Sequence, residues 1–313
     1  MSVKKKTSIG GSALIEGVMM RGPSKMGIAI RKPDGDIVID VSDIKTKNNI
    51  MRKIPIIRGM FSFIESMVTS MKALMFSAEF VDIEEEQGSE SKFEKWLTKK
   101  FGSKLKDYLI YFSVFIAIIF SVGLFFLLPM LIAELTLPLY KNVESVAAVR
   151  SIIESSTRII IFIGYLLLCT MQNDVKRVFM YHGAEHKTIF CYESGLPLTV
   201  ENCRPQSRLH PRCGTSFLVF VLIISIIVFS FVQFGFGWQR ILAKLLCLPL
   251  IAGFSYELIK FAGRYDCTFT RILSKPGMWF QHITTKEPDD SMLEIAIASL
   301  KAVLPEEGES DKW

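Results

Sequence analysis

The sequence predicts a mainly α-helical, polytopic membrane protein with about four transmembrane helices, an N-terminal β-hairpin and an interfacial amphipathic helix. Three observations lead there. Hydrophobic residues make up 50% of the 313, and charged ones 22%. The apolar residues gather in runs, and the stretches from Asp107 to Glu134 and from Arg212 to Arg240 hold no charge between their ends. Each exceeds the roughly 20 residues that cross a bilayer as a helix. A core helix of a large soluble protein can be this apolar, but two such runs argue against it. Finally, lysine and arginine alternate in density along the chain, as they do in membrane proteins of fixed orientation.

Residues 1–53 form a cytoplasmic glycine-rich segment and a hairpin. SIGGSALIEGVMMRG (8–22) is glycine-punctuated. In KMGIAIRKPDGDIVIDVSD, alternating residues flank Asp34-Gly35, a strong turn pair. No secretory signal peptide is expected, because the apolar stretch near the start is short and broken.

Residues 54–80 read as an amphipathic, membrane-associated helix. Arg58, Glu65, Lys72 and Glu79 are spaced by seven, nearly two turns, so they share one narrow stripe. The rest of the surface is apolar or small. That pattern suits a helix in the membrane interface, or one packed against the spans with its stripe facing a polar cavity; an amphipathic core helix is the plain alternative. The stripe needs water or partners, so Arg58, Glu65 and Lys72 are expected to turn toward a histidine-rich loop further on.

Residues 81–106 are a polar linker. Residues 107–263 form the four-span domain, whose weaker spans are 158–172 and 241–261. Lys244 and Lys260 fall near the ends of the latter, where their stems reach the interface. Residues 264–313 are a cytoplasmic segment. Acidic residues and a cap at 287–291 announce a soluble helix, and PEEGESDKW reads as a disordered tail.

Lys4, Lys5, Lys6, Lys99, Lys100, Lys104 and Lys106 precede the first span. Lys176, Arg177, Lys187, Arg204, Arg208 and Arg212 fill the loop 173–213, and Arg264, Arg271 and Lys275 follow the last span. The opposite side has only Lys141, Arg150, Arg158 and Arg240. Both termini and the loop 173–213 are therefore expected in the cytoplasm. Cys191, Cys203, Cys213 and Cys267 then fall on the reducing side, as thiols or metal ligands rather than bridges. The net charge of +6 needs no nucleic acid, because basic residues at a membrane meet anionic headgroups.

The loop 173–213 holds three of the four histidines. His182, Glu185 and His186 spell H-x-x-E-H, and His210 and Cys213 spell H-x-x-C. Two imidazoles four apart on a helix share a face and can grip one ion. Glu185 is placed like the general base of a zinc hydrolase, or it pairs with a nearby arginine or lysine. A zinc site needs a further ligand. His210 comes first, then Cys213; Glu257, downstream in the fourth span, echoes the distant glutamate of inverzincins. Glu257 is also the one obvious charge within a span, and its plainer role is an ion pair. Asp174 either orients a ligating histidine or caps the helix. Arg204, Arg208 and Arg212 form a cationic row for lipid phosphate or an anionic substrate, which topology alone also explains.

Several strings together resemble one bacterial family: GGSALIEGVMMRGP, RGMFSFIESMVTSMKALMFSAE, YHGAEHKTIFCYE, HPRCGTSFL, SYELIKFAGR and QHITTKEPDD. They resemble the YqhQ-like family of membrane proteins, a domain of unknown function described as a predicted metal-dependent enzyme. Ser12 stands where that family usually has glutamine, and His282 where it has arginine. The second departure implies that His282 is no family-wide ligand.

The reading is a metal-dependent membrane enzyme of the bacterial inner membrane with a divalent metal ion, zinc foremost. It would be a hydrolase acting at the cytoplasmic interface on a lipid-like or membrane-embedded substrate. The alternative is a non-enzymatic scaffold or regulator whose histidines are structural. The lipid membrane is the expected partner; a homo-oligomer or a membrane-protein partner is left open.

Overall fold

The computed structural model describes residues 6–44, 54–81, 105–232, 237–265, 267–306 and 309–311. The polar linker between the first long helix and the first span lies outside them. Strands β1 (Gly10–Leu14), β2 (Gly17–Arg21), β3 (Lys25–Arg31) and β4 (Ile37–Asp43) form one antiparallel sheet in that order. The expected hairpin is β3–β4, with Arg31 opposite Ile37. The glycine-punctuated segment before it is a second hairpin, with Leu14 opposite Gly17. Its glycines lack the side chains that would have shown the period of two. Glu16 at that turn has φ +50°, a left-handed conformation uncommon outside glycine. Two Arg177 nitrogens, at 2.5 and 2.6 Å, and the Tyr181 hydroxyl, at 3.1 Å, hold its carboxylate.

Among the described residues the helices are α1 (Ile57–Val81), α2 (Leu105–Val122), α3 (Leu128–Leu135), α4 (Leu137–Tyr140), α5 (Val146–Cys169), α6 (Asn173–Glu193), α7 (Val200–Cys203), α8 (Gly214–Phe231), α9 (Gly237–Arg264), α10 (Thr268–Thr284) and α11 (Asp290–Lys301). A π-helical turn, Gly123–Leu127, joins α2 to α3. Among the described residues, four segments are long and apolar enough to cross a membrane: Phe112–Leu135, α5, α8 and α9. The protein is a multi-pass membrane protein. The second span starts at Val146, well before Arg158. Arg150, Glu154 and Arg158 lie within it, spaced by four on one face. Lys244, expected near the interface, is buried and donates to Glu154. All six cysteines are free thiols.

The chain divides into two compact units. The first comprises Met1–Val81, Leu166–Ser225 and Leu248–Trp313. Strands β1 to β3 are covered on both faces, while β4 is largely exposed. Val18, Met20 and Ala29 point one way, into a core with Tyr181, Ala184 and Ile189 of α6 and Met292, Leu293, Ile295 and Leu300 of α11. Each such aliphatic side chain contributes about 1.5–3 kcal/mol when fully buried. Asp289 caps α11, its carboxylate accepting from the Met292 amide at 2.9 Å. Leu14, Met19, Ile28 and Ile30 point the other way, onto Ala73, Phe76 and Phe80 of α1.

Phe61, Ile64, Met67, Val68, Met71 and Leu74 of α1 are exposed. Their spacing of three and four makes one apolar face, as an interfacial helix needs. The charged stripe, expected to turn toward the histidines, has ion-pair partners on β2 and α9. Arg58 forks Glu257 of α9, Glu65 accepts from Arg21 of β2 at 3.2 Å, and Lys72 is exposed. The C-terminal tail also departs from expectation. Asp311 is buried, accepting from the Thr7 and Tyr192 hydroxyls at 2.9 and 2.8 Å. The second unit, Asp82–Tyr165 and Ile226–Cys247, holds the first span and the buried charges of α5.

Candidate metal centre

Helix α6 runs unbroken through the H-x-x-E-H string. A glycine inside a helix costs about 1 kcal/mol relative to alanine, and Gly183 is there for a reason. A Cβ at this position would sit 2.1 Å from the Lys286 carbonyl oxygen. The chain leaving α10 crosses α6 here, and the Lys286 amide donates to the Phe179 carbonyl at 2.8 Å. That crossing brings the Thr284 carbonyl to 2.9 Å from His182 Nδ1. A carbonyl only accepts, so the ring carries its hydrogen on Nδ1 and its lone pair on Nε2.

His186 follows the same rule. Its Nδ1 lies 2.5 Å from the Arg208 carbonyl, and its Nε2 is buried with no hydrogen-bond partner. His182 Nε2 is 3.1 Å from Cys213 Sγ. Ligand atoms of His182, His186 and Cys213 all lie within 4.8 Å of one another. The Thr215 amide, in the first turn of α8, points at the sulfur from 3.3 Å. Metal-bound histidines commonly donate the second ring nitrogen to a carbonyl or carboxylate, which sets tautomer and orientation. Both histidines here meet that condition.

His210 is near but turned elsewhere. Its ring centre is 5.6 Å from that of His186. Its Nδ1 accepts from the Arg212 amide at 3.3 Å, and its Nε2 faces Glu193 at 3.7 Å. Burial pushes this imidazole down to about 4, so it is neutral at pH 7. Burial alone would raise the Glu193 carboxyl. His210, the Arg212 guanidinium and the Thr7 amide outweigh it and hold the group below its ordinary value. The Gln281 side chain both accepts from the His210 amide and donates to the His210 carbonyl, each at 2.7 Å. These bonds pin the loop that carries Cys213.

Glu185 is buried and faces the sheet. Its Oε1 accepts from the Gly11 amide at 3.0 Å. A Cβ on Gly11 would come 2.3 Å from the Met19 carbonyl and 3.2 Å from the Glu185 carboxyl carbon, so only glycine brings β1 this close. Burial pushes the Glu185 carboxyl up, opposed by His182 and by the Gly11 amide.

The remaining candidates lie as follows. Asp174 is exposed in the first turn of α6, and main-chain carbonyls hold the two Nδ1 atoms. Glu257 is held by Arg58. Arg204 forks Asp290, Arg208 donates to the Thr285 carbonyl at 2.6 Å and meets Glu287 at 3.3 Å, and Arg212 pairs with Glu193. The cationic row is thus engaged by carboxylates of its own chain.

Gln281, Glu193, Thr7, Thr284 and Gly11 were not singled out by sequence reasoning. Gln281 and Thr284 stand in QHITTKEPDD and Gly11 in GGSALIEGVMMRGP, so the shared strings were the available signal.

A family model described as "Protein of unknown function (DUF1385)" matches residues 54–306, a span that includes the whole histidine–cysteine cluster. The chain belongs to this family. It is also similar to the "Uncharacterized protein YqhQ" of Bacillus subtilis (strain 168), 37% identical over 316 residues. That alignment covers 99% of this chain and 96% of the relative, so it takes in the sheet that the family model leaves out. No solved structure matches the chain.

Proposed function

We propose that this protein is a metal-dependent membrane enzyme, a hydrolase acting at the cytoplasmic face of the bacterial inner membrane on a lipid-like or membrane-embedded substrate. One observation carries the reading. His186 Nε2 is a buried acceptor without a donor, beside His182 Nε2 and Cys213 Sγ. An orphaned buried acceptor is costly, and a divalent cation satisfies it. Two imidazoles and a thiolate are a donor set that suits zinc.

In this reading His182, His186 and Cys213 hold the ion, and His210 fixes the loop that presents Cys213. Such an ion supplies Lewis acidity toward a carbonyl or phosphoryl oxygen. Glu185, anchored through Oε1 by Gly11, accepts and returns a proton at its other oxygen. The exposed apolar face of α1 anchors the unit at the bilayer surface, where substrates dissolved in lipid arrive. Both termini lie in the cytoplasm by the distribution of lysine and arginine.

The test is elemental analysis of purified protein beside the His182→Ala/His186→Ala double variant. Wild type should hold one divalent ion per chain and the variant almost none. Equal metal content in both would support the scaffold reading instead.

A further inference from the structure

The second unit buries charges that the metal centre does not use. Glu154 and Arg158 stand four residues apart on α5, on one face, and are 3% and 5% exposed. Lys244 of α9 is 3% exposed and donates to Glu154 Oε2. Arg158 borders the uninterrupted apolar stretch 159–169 of its helix. Its Nε donates to the Phe125 carbonyl at 3.0 Å, within the π-helical turn, where the regular bonding of the helix is disturbed. Its guanidinium carbon is 5.9 Å from the ring centre of Phe126 and 5.1 Å from that of Phe229, and the Lys244 ammonium is 5.6 Å from the latter.

Charge inside a span is expensive and marks function by default. Here the charges do not balance. Arg158, Lys244 and Arg240 are all buried near one buried carboxylate, Glu154, which pairs with Lys244, and among the described residues no carboxylate lies within ion-pair distance of Arg158. Two turns before Arg158, Arg150 is taken by Glu134. Glu154 Oε1, meanwhile, is buried and receives no hydrogen bond. The cluster therefore lacks an anionic acceptor for Arg158 and a donor for Glu154.

We propose that this cluster is a binding site for a phosphate group that also carries a hydroxyl. The anionic oxygens meet Arg158 and Lys244, and the hydroxyl donates to Glu154 Oε1. With Nε held by the Phe125 carbonyl, the two Nη atoms of Arg158 remain as a fork, the geometry that suits phosphate. Chloride or a simple carboxylate satisfies the cations but not Glu154, and water does the reverse. Two sources share the required chemistry: a glycerol-phosphate lipid headgroup and inorganic phosphate in its protonated forms.

The experiment uses the full chain in detergent and the variants Arg158→Gln and Arg158→Lys. Thermal unfolding is followed with phosphatidylglycerol, phosphatidylcholine or inorganic phosphate, and retained lipid is counted by native mass spectrometry. Phosphatidylglycerol or inorganic phosphate should stabilise the wild type, and phosphatidylcholine, which lacks the hydroxyl, should not. Apparent affinity should fall about tenfold or more in Arg158→Gln and recover in part in Arg158→Lys, as loss of a charge-assisted contact requires. A response to phosphatidylglycerol alone assigns the lipid headgroup, and one to inorganic phosphate alone assigns a soluble anion. No response in the wild type, an equal response to phosphatidylcholine, or unchanged affinity in Arg158→Gln overturns the proposal. If Arg158→Gln fails to fold, the wild-type ligand panel and Arg158→Lys still decide.

Discussion

Cys213 and His210 sit three residues apart and do different work. Cys213 joins the two histidines of α6, while His210 is absorbed into the Glu193–Arg212 network. Cys213→Ser should therefore lower metal content at least tenfold at limiting zinc, measured by chelator competition, because a hydroxyl is a poor substitute for a thiolate. His210→Gln should retain the ion but change the pH response. Above pH 6.5 the imidazole is neutral in folded and unfolded chains alike. Between 6.5 and about 4 the unfolded chain binds a proton that the buried His210 refuses. Stability therefore falls as pH falls through that window and levels off near its lower end, a loss of roughly 3 kcal/mol at most. Thermal unfolding between pH 4 and 7.5 should show a shallower slope in His210→Gln than in wild type; equal slopes would remove His210 from the acid response. H-x-x-E-H was legible in the sequence because two histidines four apart on a helix face the same way whatever surrounds them. The choice between His210 and Cys213 was not, since it turns on where the other ring nitrogen and the main chain of a loop end up.

At the scale of elements, the decisive contact is the crossing of α6 by the segment after α10. Gly183 admits it, and Thr284 uses it to orient His182. Gly183→Ala gains helix propensity but places a methyl against the Lys286 carbonyl, so a net destabilisation of about 1–3 kcal/mol is expected. Metal affinity should drop with it, because the crossing and the imidazole orientation share one cause. Unchanged metal affinity in a destabilised Gly183→Ala would separate the two. Helix α1 poses the opposite question. Its charged stripe was visible in the spacing of Arg58, Glu65, Lys72 and Glu79, yet the partners of two of these, Glu257 and Arg21, come from distant parts of the sequence. The apolar face beside the stripe is left exposed. In the full chain reconstituted in vesicles, a fluorophore attached at Ile64→Cys should be quenched by brominated acyl chains, while absence of quenching would make that face a protein contact.

For the molecule as a whole, membrane topology is the expected outcome most open to direct measurement. Single cysteines at the exposed positions Gly195 and Lys301 should be protected from a membrane-impermeant thiol reagent in intact cells, and one at Glu144 should react. Lys301 is chosen because Leu300 before it is fully buried and would be silent to the reagent from either side. Labelling of Gly195 from outside would invert the topology.

The sequence by itself determined the membrane class, the helix content and the histidine pair. Each rests on local pattern, which survives any arrangement of the rest: apolar length, residue spacing and turn chemistry. Only the tertiary structure decided that the first glycine-rich segment is a hairpin bonded to Glu185, that Cys213 completes the cluster, and that Glu154, Arg158 and Lys244 are buried together. Those depend on which partners distant segments bring. A backbone carbonyl aimed at an imidazole, or a lysine reaching a carboxylate on another helix, leaves no period in the chain.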